Sequence, residues 1–394
     1  MAYTMPKGFR LAVAKAGFKY SNRNDVALAV SDVPAVAAGV FTTNLFQAAP
    51  VKQGMLQLAE RQTAQALLFS AGQANACTGE EGMRRCRKSQ DLVAAAIQLE
   101  AADILPAATG VIGMQMNMEA WERAAPLLAA SLGQASLEDF ARAIMTTDAF
   151  PKFASEELAL SGGTIVLAGV AKGAGMICPD MATMLSMVLC DASVKADDWQ
   201  AMFVRATART FNRATVDGDT STNDTLYGLA NGASGVRAHG ADLSVLEEAL
   251  TRLLGRLAYL LVKDGEGATK VLHIHVKGAK SQADAEKAAR TVGHSQLVKT
   301  AMYGKDANWG RIVAALGRCG ARFDPQAVRV TLCGVDLFSK GGPTDLDFDT
   351  LLKDELAKAD LQLDISLGSG PGEYRLLASD LTHEYVSINA DYRS

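Results

Sequence analysis

The sequence predicts a mixed α/β protein with two core-bearing units, and three observations support this prediction. The chain has 394 residues, which is more than one hydrophobic core usually supports. Short apolar runs alternate along it with longer segments whose apolar residues recur at helical spacing. Near its middle, a stretch containing Gly173, Gly175 and Pro179 separates two apolar runs, 164–170 and 183–189, which both indicate buried strands.

The composition is that of an ordinary globular protein. Apolar residues make up 49% and charged residues 21% of the chain, and the formal charge of −4 argues against a nucleic-acid surface. The chain shows neither a signal peptide nor an unbroken apolar run of about eighteen residues, so we expect a cytoplasmic protein that binds no membrane. Its six cysteines include no Cys-x-x-Cys pair, which favours reduced thiols over disulfides or zinc.

In the first half of the chain, apolar runs bounded by turn residues predict strands, and apolar residues spaced three or four apart predict helices. The predicted strands are 26–30, 35–41, 66–70 and 164–170. The predicted helices are 80–102, 118–130 and 137–145. A loop of small residues is predicted at 70–79, so this half opens with strands and then alternates between the two element types.

The second half continues the alternation. Its predicted strands are 183–189, a segment carrying His273 and His275, a segment beginning at 328, and 361–366, 373–378 and 384–389. Its predicted helices are 196–210, 242–262, 284–302 and 346–358. The two histidines share one strand face and could bind a metal, but no cysteine or carboxylate pattern completes such a site. A packed sheet face is therefore favoured, and no metal is expected.

The acidic segment 216–225 is too polar for an ordinary core. Its aspartates beside glycine and hydroxyl groups resemble a calcium loop, but the EF-hand spacing and its terminal glutamate are missing. A hydrogen-bonded loop packed against a site is the preferred interpretation.

Thr183 stands where the central glycine-rich stretch becomes a strand, and its hydroxyl is a candidate nucleophile. A threonine hydroxyl needs a base to take its proton, and the amine of an N-terminal threonine is one known solution. Such an amine requires a cut after Ala182, whose small side chain leaves its carbonyl open. From these residues alone, the simpler interpretation that Thr183 begins a strand is favoured. Elsewhere, Thr109 and Gly110 pair a hydroxyl with a glycine N–H, which could hold an oxyanion.

With these segments in hand, the chain resembles the ornithine acetyltransferase family, also called ArgJ, the glutamate N-acetyltransferases of arginine biosynthesis. The matching segments run in the family's order from one end of the chain to the other. They are GVFTTN (39–44), TGVIG (109–113), AKGAGMI (171–177), MATML (181–185), VDGDTSTNDT (216–225), DGEGATK (264–270), NWGR (308–311) and INADYR (388–393). The resemblance reverses the interpretation of Thr183, because family members cut themselves before the threonine of the Ala-Thr-Met-Leu motif.

The resemblance also implies how the chain is divided and folded. Residues 1–182 would form an α chain that contributes the oxyanion hole, and residues 183–394 a β chain that begins with the nucleophile. Members of the family assemble as α2β2 heterotetramers. The implied fold is two-lobed, with αββα layers of the DmpA/ArgJ-like kind.

The implied activity is ping-pong transfer of an acetyl group from N2-acetyl-L-ornithine to L-glutamate, without a cofactor. Thr183 Oγ would attack the acetyl carbonyl with its own α-amine as base, and Thr109 and Gly110 match the family's oxyanion hole. The substrate-contacting positions of the family correspond to Thr147, Lys172, Thr183, Glu266, Asn389 and Ser394. Lys172 suits a substrate carboxylate, and Glu266 suits the distal ammonium of ornithine. Acetyl-CoA as a second acetyl donor stays open.

Two departures from the family pattern stand near the site. Residues 70–75 read Ser-Ala-Gly-Gln-Ala-Asn where the family more often has Asn-Ser-Gly-Asn-Ala-Asn. Asp180 stands where asparagine is frequent, and its negative charge close to the scissile bond could slow self-cleavage. Both departures leave Lys172 and Thr183 in place, so activity is expected.

Three alternative functions are weighed against the transferase. A related self-processing aminopeptidase or amidase would use the same nucleophile but pass the acyl group to water. An uncut, non-catalytic homologue is the second alternative. A nucleotide-binding module is the third, suggested by the glycines of 172–175, but the P-loop order and a full G-x-G-x-x-G are both absent from the sequence.

Overall fold

The computed structural model describes residues 3–178 and 184–391. Its strands, in chain order, are β1 (Phe9–Ala14), β2 (Val26–Phe41), β3 (Thr63–Gln73), β4 (Ile104–Val111), β5 (Lys152–Leu160), β6 (Gly163–Lys172), β7 (Leu185–Cys190), β8 (Ala214–Thr215), β9 (Thr225–Ala230), β10 (Val271–Ala279), β11 (Arg329–Leu332), β12 (Val335–Ser339), β13 (Gly342–Pro343), β14 (Asp360–Ser366) and β15 (Gly372–Ser379). Its helices are α1 (Ala49–Glu60), α2 (Gly79–Ile97), α3 (Met118–Ala130), α4 (Leu137–Ala143), α5 (Ala196–Arg209), α6 (Ala241–Lys263), α7 (Gln282–Gly293), α8 (Gln296–Tyr303), α9 (Trp309–Gly317), α10 (Phe348–Ala357) and α11 (His383–Asp391). The predicted mixed α/β class is confirmed.

The described residues form two compact units, as the length of the chain predicts. The first unit contains residues 3–212 and 219–261, apart from the undescribed 179–183, and the second contains 213–218 and 262–391. Each unit has its own sheet and its own apolar core. The predicted division at residue 183 concerns a covalent cut outside the described residues, and it stays a prediction.

The sheet of the first unit has the strand order β4-β3-β2-β9-β7-β6-β5, with β1 also paired to β2. β3 pairs with β4, and β7 with β9, in parallel. Along β2, Ala27 and Ala29 pack with residues of α4, whereas Leu28 and Val30 pack with residues of α2 and α3. A sheet buried on both faces requires nearly continuous apolar strands, which is why 164–170 shows no polar alternation.

The sheet of the second unit has the order β13-β12-β11-β14-β10-β15-β8. Alternate residues of β10 such as Leu272 and Ile274 belong to the core, whereas His273 and His275 lie on the opposite face. There His273 Nε2 lies 2.8 Å from an Asp360 oxygen and His275 Nδ1 lies 3.3 Å from an Asp364 oxygen. Within residues 3–178 and 184–391, no three His, Cys, Asp or Glu side chains are grouped as a metal ion would need.

Two helix predictions are wrong in their extent. The predicted helix 284–302 is two helices, α7 and α8, because Ser295 accepts a hydrogen bond from the Val298 N–H and caps a new helix. The predicted helix 80–102 ends early, since Gln98 has a left-handed backbone with φ 61°. Side-chain capping and one left-handed residue therefore override the apolar spacing that continues past both points.

The predicted strand 384–389 is also wrong, because this segment is the helix α11. Val386 and Ile388 alternate with polar residues as in a strand, but this alternation extends over only a few residues. Thr382 Oγ1 accepts a hydrogen bond from the Tyr385 N–H at 3.3 Å and caps the first turn. This cap favours a helix, although the β-branched side chains of Val386 and Ile388 favour a strand.

The sequence does not predict β1, β5 or β9, and β3 extends to Gln73 into the predicted loop 70–79. β1 and β9 both pair with β2, and β5 pairs with β6 along its whole length. β5 carries Glu156 and Glu157 in its middle, so it lacks the apolar run that predicts a strand. These strands are stabilised by pairing with their neighbours more than by the strand propensity of their own residues.

Among the described helices, none combines the length and the apolar composition that a membrane span requires.

Candidate active site

The predicted site residues that the structure describes fall into two groups, one in each unit. The group in the first unit is Thr109, Gly110, Thr147 and Lys172. The group in the second unit is Glu266 and Asn389. The predicted cleavage residues Ala182 and Thr183, the departure at Asp180 and the substrate contact Ser394 lie outside the described residues.

Lys172 is the centre of the first group. It is the last residue of β6 and is paired with Leu185, the first residue of β7. Its side chain is buried, and Nζ donates a hydrogen bond to Thr146 Oγ1 at 2.7 Å and lies 3.5 Å from Thr109 Oγ1. Thr147, next to Thr146, is partly exposed. The sheet thus brings together an ammonium group and the predicted oxyanion-hole hydroxyl, which are 63 residues apart in the chain.

Gly110 is required by a close approach of two strands. It has φ +130°, and a Cβ atom built on it would lie 2.2 Å from the carbonyl carbon of Gly72, its partner on β3. No side chain fits at that distance. The backbone beside Thr109 therefore has a shape that only glycine provides.

Replacing Gly110 by alanine is expected to destabilise the protein by more than about 3 kcal/mol, or to prevent folding, because backbone atoms of β3 must move. Urea unfolding measures the effect. Gly113→Ala is the matched control, since Gly113 also has a positive φ, but no atom of the described residues lies within 4 Å of the added Cβ. This control should cost about 1 kcal/mol. Equal losses in the two variants would contradict the steric explanation.

Asp148 lies beneath Lys172 and is paired with two buried lysines. Lys152 Nζ donates to its Oδ1 at 2.7 Å, and Lys172 Nζ lies 3.8 Å from its Oδ2. The Gly173 N–H donates to Oδ1 and the Thr146 N–H to Oδ2. Burial alone would raise the pKa of Asp148, but the charges of Lys172 and Lys152 outweigh burial and hold that pKa well below its ordinary value. Asp148 is therefore ionised, and it fixes the loop before β5 to the end of β6.

Asp148→Asn is expected to lower the free energy of unfolding by about 3–5 kcal/mol at pH 7, because it leaves two buried lysines without their counter-charge. The folded pKa of Asp148 is depressed, so its contribution is complete above the ordinary aspartate pKa of about 4 and is lost as the pH falls toward the folded value. The difference between variant and wild type should therefore shrink between pH 7 and pH 3 in urea unfolding. Asp32→Asn is the control: Asp32 pairs with Arg10 on the surface and should matter little.

Asp224 brings a second carboxyl to the same end of the sheet. It precedes β9, is fully buried, and its Oδ1 accepts a hydrogen bond from the Met184 N–H at 2.9 Å. Burial raises the pKa of the Asp224 carboxyl well above its ordinary value, against the opposing effects of the Met184 N–H and the Lys172 charge. Asp148 is the counter-charge of both lysines and lies closer to Lys152 Nζ (2.7 Å) than to Lys172 Nζ (3.8 Å), so the positive charge of Lys172 is only partly compensated. This end of the sheet is thus suited to an anionic group such as a carboxylate.

The second group lies in the loop between α6 and β10. Glu266 is buried, and its Oε2 accepts a hydrogen bond from Asn389 Nδ2 at 2.7 Å. Gly267 follows with φ +65°, and a Cβ there would lie 2.7 Å from the Tyr385 backbone nitrogen. The turn therefore packs directly on α11, which carries Asn389. A buried carboxylate held by one amide retains acceptor capacity for an ammonium group.

Sequence reasoning misses Lys152, Asp148 and Asp224 as parts of the site. Asp148 and Lys152 are four residues apart in a segment for which the sequence predicts neither a helix nor a strand. Asp224 precedes a strand that the apolar pattern does not reveal. A charged residue immediately before a fully buried strand is a signal that could find Asp224, whereas Asp148 and Lys152 lie before and at the start of β5, which is only partly buried.

Comparisons with known proteins agree along the whole chain. The model of the ArgJ family matches residues 10–394. The arginine biosynthesis bifunctional protein ArgJ of Nitratidesulfovibrio vulgaris is 65% identical over 389 residues, covering 99% of each chain. The protein of the same name from Thermosynechococcus vestitus is 45% identical, covering 99% of this chain and 97% of that one. A crystal structure of this bifunctional protein from Bacillus halodurans is 35% identical with a TM-score of 0.50, and it covers 52% of this chain and 98% of its own. The chain belongs to the ArgJ family.

Proposed function

We propose that the protein is a glutamate N-acetyltransferase of arginine biosynthesis, which moves the acetyl group of N2-acetyl-L-ornithine to L-glutamate. The observation that carries this proposal is the 65% identity, over 99% of each chain, with a protein named for arginine biosynthesis. The charged groups at the two sites supply the matching chemistry. Both amino-acid substrates carry a carboxylate, and ornithine also carries a distal ammonium group.

In this proposal the chain cuts itself between Ala182 and Thr183, and the products 1–182 and 183–394 assemble as α2β2. The Bacillus halodurans structure supports a cut near the middle, because 98% of that solved chain matches only 52% of this one. The solved chain is therefore little more than half as long as this sequence. The segment 183–394 is a similar fraction of the 394 residues.

The proposed reaction has two acyl-transfer steps. Thr183 Oγ bonds to the acetyl carbon, its proton passes through the Thr183 α-amine to the ornithine nitrogen, and the C–N bond breaks. The amine of glutamate then attacks the acetyl-threonine ester and restores the hydroxyl. In each step, negative charge on the carbonyl oxygen is stabilised by donors from Thr109 and Gly110.

Substrate recognition follows from the charges. Lys172 binds the substrate carboxylate, and Glu266 binds the distal ammonium of ornithine. Asn389 fixes the Glu266 carboxylate through its 2.7 Å hydrogen bond. The assigned residues need no cofactor for this transfer. The word bifunctional in the names of the relatives supports acetyl-CoA as a second acetyl donor.

Intact-mass measurement with N-terminal sequencing, followed by a transfer assay, tests the proposal. Two fragments are expected, one beginning at Thr183, together with transfer of acetyl from N-acetylornithine to glutamate. A fully active preparation made of one uncut chain would refute the mechanism. Hydrolysis of the acyl group without transfer to glutamate would instead favour the aminopeptidase or amidase function.

A further inference from the structure

The side chain of Asn223 joins two neighbouring strands of the first sheet. Asn223 comes two residues before β9 and is buried. Its Nδ2 donates one hydrogen bond to the Ala74 carbonyl oxygen at 2.6 Å and a second to the Ala108 carbonyl oxygen at 2.8 Å. Ala74 directly follows β3, and Ala108 lies within β4. One amide group thus connects two backbone segments that are 149 and 115 residues away from it along the chain.

The orientation of this amide is fixed by its surroundings. Carbonyl oxygens only accept hydrogen bonds, so the NH₂ end of the Asn223 side chain must face them. Its Oδ1 accepts a hydrogen bond from the Thr222 hydroxyl at 2.6 Å. The Asn223 N–H donates to Ser221 Oγ at 3.1 Å, and the Asn223 carbonyl oxygen accepts from Thr225 Oγ1 at 2.9 Å. Three hydroxyl groups of the segment 216–225 therefore hold Asn223 in place.

Ala108, which this amide binds, immediately precedes the two residues of the proposed oxyanion hole. Backbone groups alternate between the two sides of a strand. The Val111 carbonyl oxygen accepts the N–H of Ala74 at 3.1 Å, so it points toward the β3 side. The carbonyl of Ala108 and the N–H of Gly110 therefore both point away from β3, to the side on which the Asn223 amide lies. This is the direction in which an N–H group stays available to an oxyanion.

The backbone of β4 needs support at this point. Among the described strands, β4 pairs with β3 alone, so its ladder fixes it from one side. Gly110 has φ +130°, which lies outside the range of a regular strand, and glycine restricts the backbone less than any other residue. The Asn223 amide supplies a hydrogen bond to β4 from the other side. A displacement of about 1 Å in a catalytic group can cost about 10²-fold in rate, so this support matters for an oxyanion donor.

On the basis of the proposed acetyl transfer, we propose that Asn223 is a positioning residue for the oxyanion hole. Its amide binds the Ala108 carbonyl and thereby fixes the backbone that carries the Thr109 hydroxyl and the Gly110 N–H. Asn223 acts through this backbone and not on the substrate itself. The inference also gives the hydroxyl-rich segment 216–225 a function, because its hydroxyl groups hold the amide that holds β4.

Asn223→Ala removes both hydrogen bonds and leaves the charges assigned to substrate binding unchanged. When the cut protein is mixed with N-acetylornithine in the absence of glutamate, ornithine should be released about 10–10²-fold more slowly than by wild type in a single turnover. The Kd of ornithine should stay the same, because ornithine has no acetyl carbonyl. Gln90→Ala is the matched control, since Gln90 is a buried amide that donates to the Ile104 carbonyl oxygen, at the start of the same strand, at 2.6 Å. This control should lower the melting temperature but leave the rate unchanged.

Asn223→Asp provides a second test with a side chain of nearly the same size. Its carboxylate cannot donate to either carbonyl oxygen, whereas its protonated carboxyl can donate to one of them. The rate of ornithine release by this variant, relative to wild type at the same pH, should therefore rise as the pH falls. A relative rate that does not rise would overturn the donor role of the amide.

Three further results would overturn the inference. The first is ornithine release at the wild-type rate by Asn223→Ala, and the second is an equal loss of rate in Gln90→Ala. The third is an Asn223→Ala chain that folds, as its melting temperature shows, but is not cut, because the amide would then act in self-processing. A wild-type protein that releases no ornithine would instead refute the proposed function.

Discussion

Thr183→Ala is expected to remain one chain of 41.5 kDa and to lose acetyl transfer by about 10⁴-fold or more. The methyl side chain can neither attack the preceding carbonyl nor form the acetyl-enzyme, so both the cut and the transfer require the hydroxyl. Intact mass measures the first loss, and the rate of N-acetylglutamate formation measures the second.

Thr183→Ser is the matched control, since it keeps the hydroxyl and removes only a methyl group. This variant should still cut itself after residue 182 and should retain measurable transfer. An uncut Thr183→Ser chain would show that the threonine methyl group is needed. A cut Thr183→Ala chain would contradict the proposed nucleophile, because cleavage would then proceed without any hydroxyl at that position.

The fold is predictable from the sequence where burial controls the residue pattern. The helix 118–130 has the predicted bounds, and the buried run 164–170 lies within β6. Prediction fails where a single contact decides the structure. At 384–389 the cap from Thr382 gives a helix, and at Ser295 a second cap divides a helix that periodicity alone would continue.

The family predicted from the matching segments is confirmed by the comparisons with known proteins, whereas the charged groups that support the site are not predictable from the sequence. Asp148 contacts a backbone group 25 residues later, and Asp224 contacts one 40 residues earlier. Such contacts depend on the sheet order, in which β6 and β9 flank β7. The sequence motifs indicate Lys172 and Thr109, whereas the carboxyl groups beside them are brought into place only by the fold. The roles of all these residues stay predictions that the variants test.

Lys172→Met is expected to reduce kcat/KM for N-acetylornithine by about 10²–10³-fold, because it removes the buried cation assigned to the substrate carboxylate. Methionine has nearly the length of lysine and fits an apolar environment, so packing is largely preserved. The ionised Asp148 keeps its 2.7 Å contact with Lys152, which limits the loss of stability. The positive charge assigned to the substrate carboxylate disappears, so binding of both amino-acid substrates should weaken together.

Lys195→Met is the control, since Lys195 is an exposed lysine at the start of α5, and it should leave transfer unchanged. Two measurements together test the role of Lys172: whether the chain is cut, and the KM for the substrate. If the Lys172→Met protein is cut normally but has a raised KM, the lysine acts in substrate binding, as proposed. If the Lys172→Met protein transfers acetyl at the wild-type kcat/KM, another group must bind the substrate carboxylate, because methionine cannot replace the lost ammonium group.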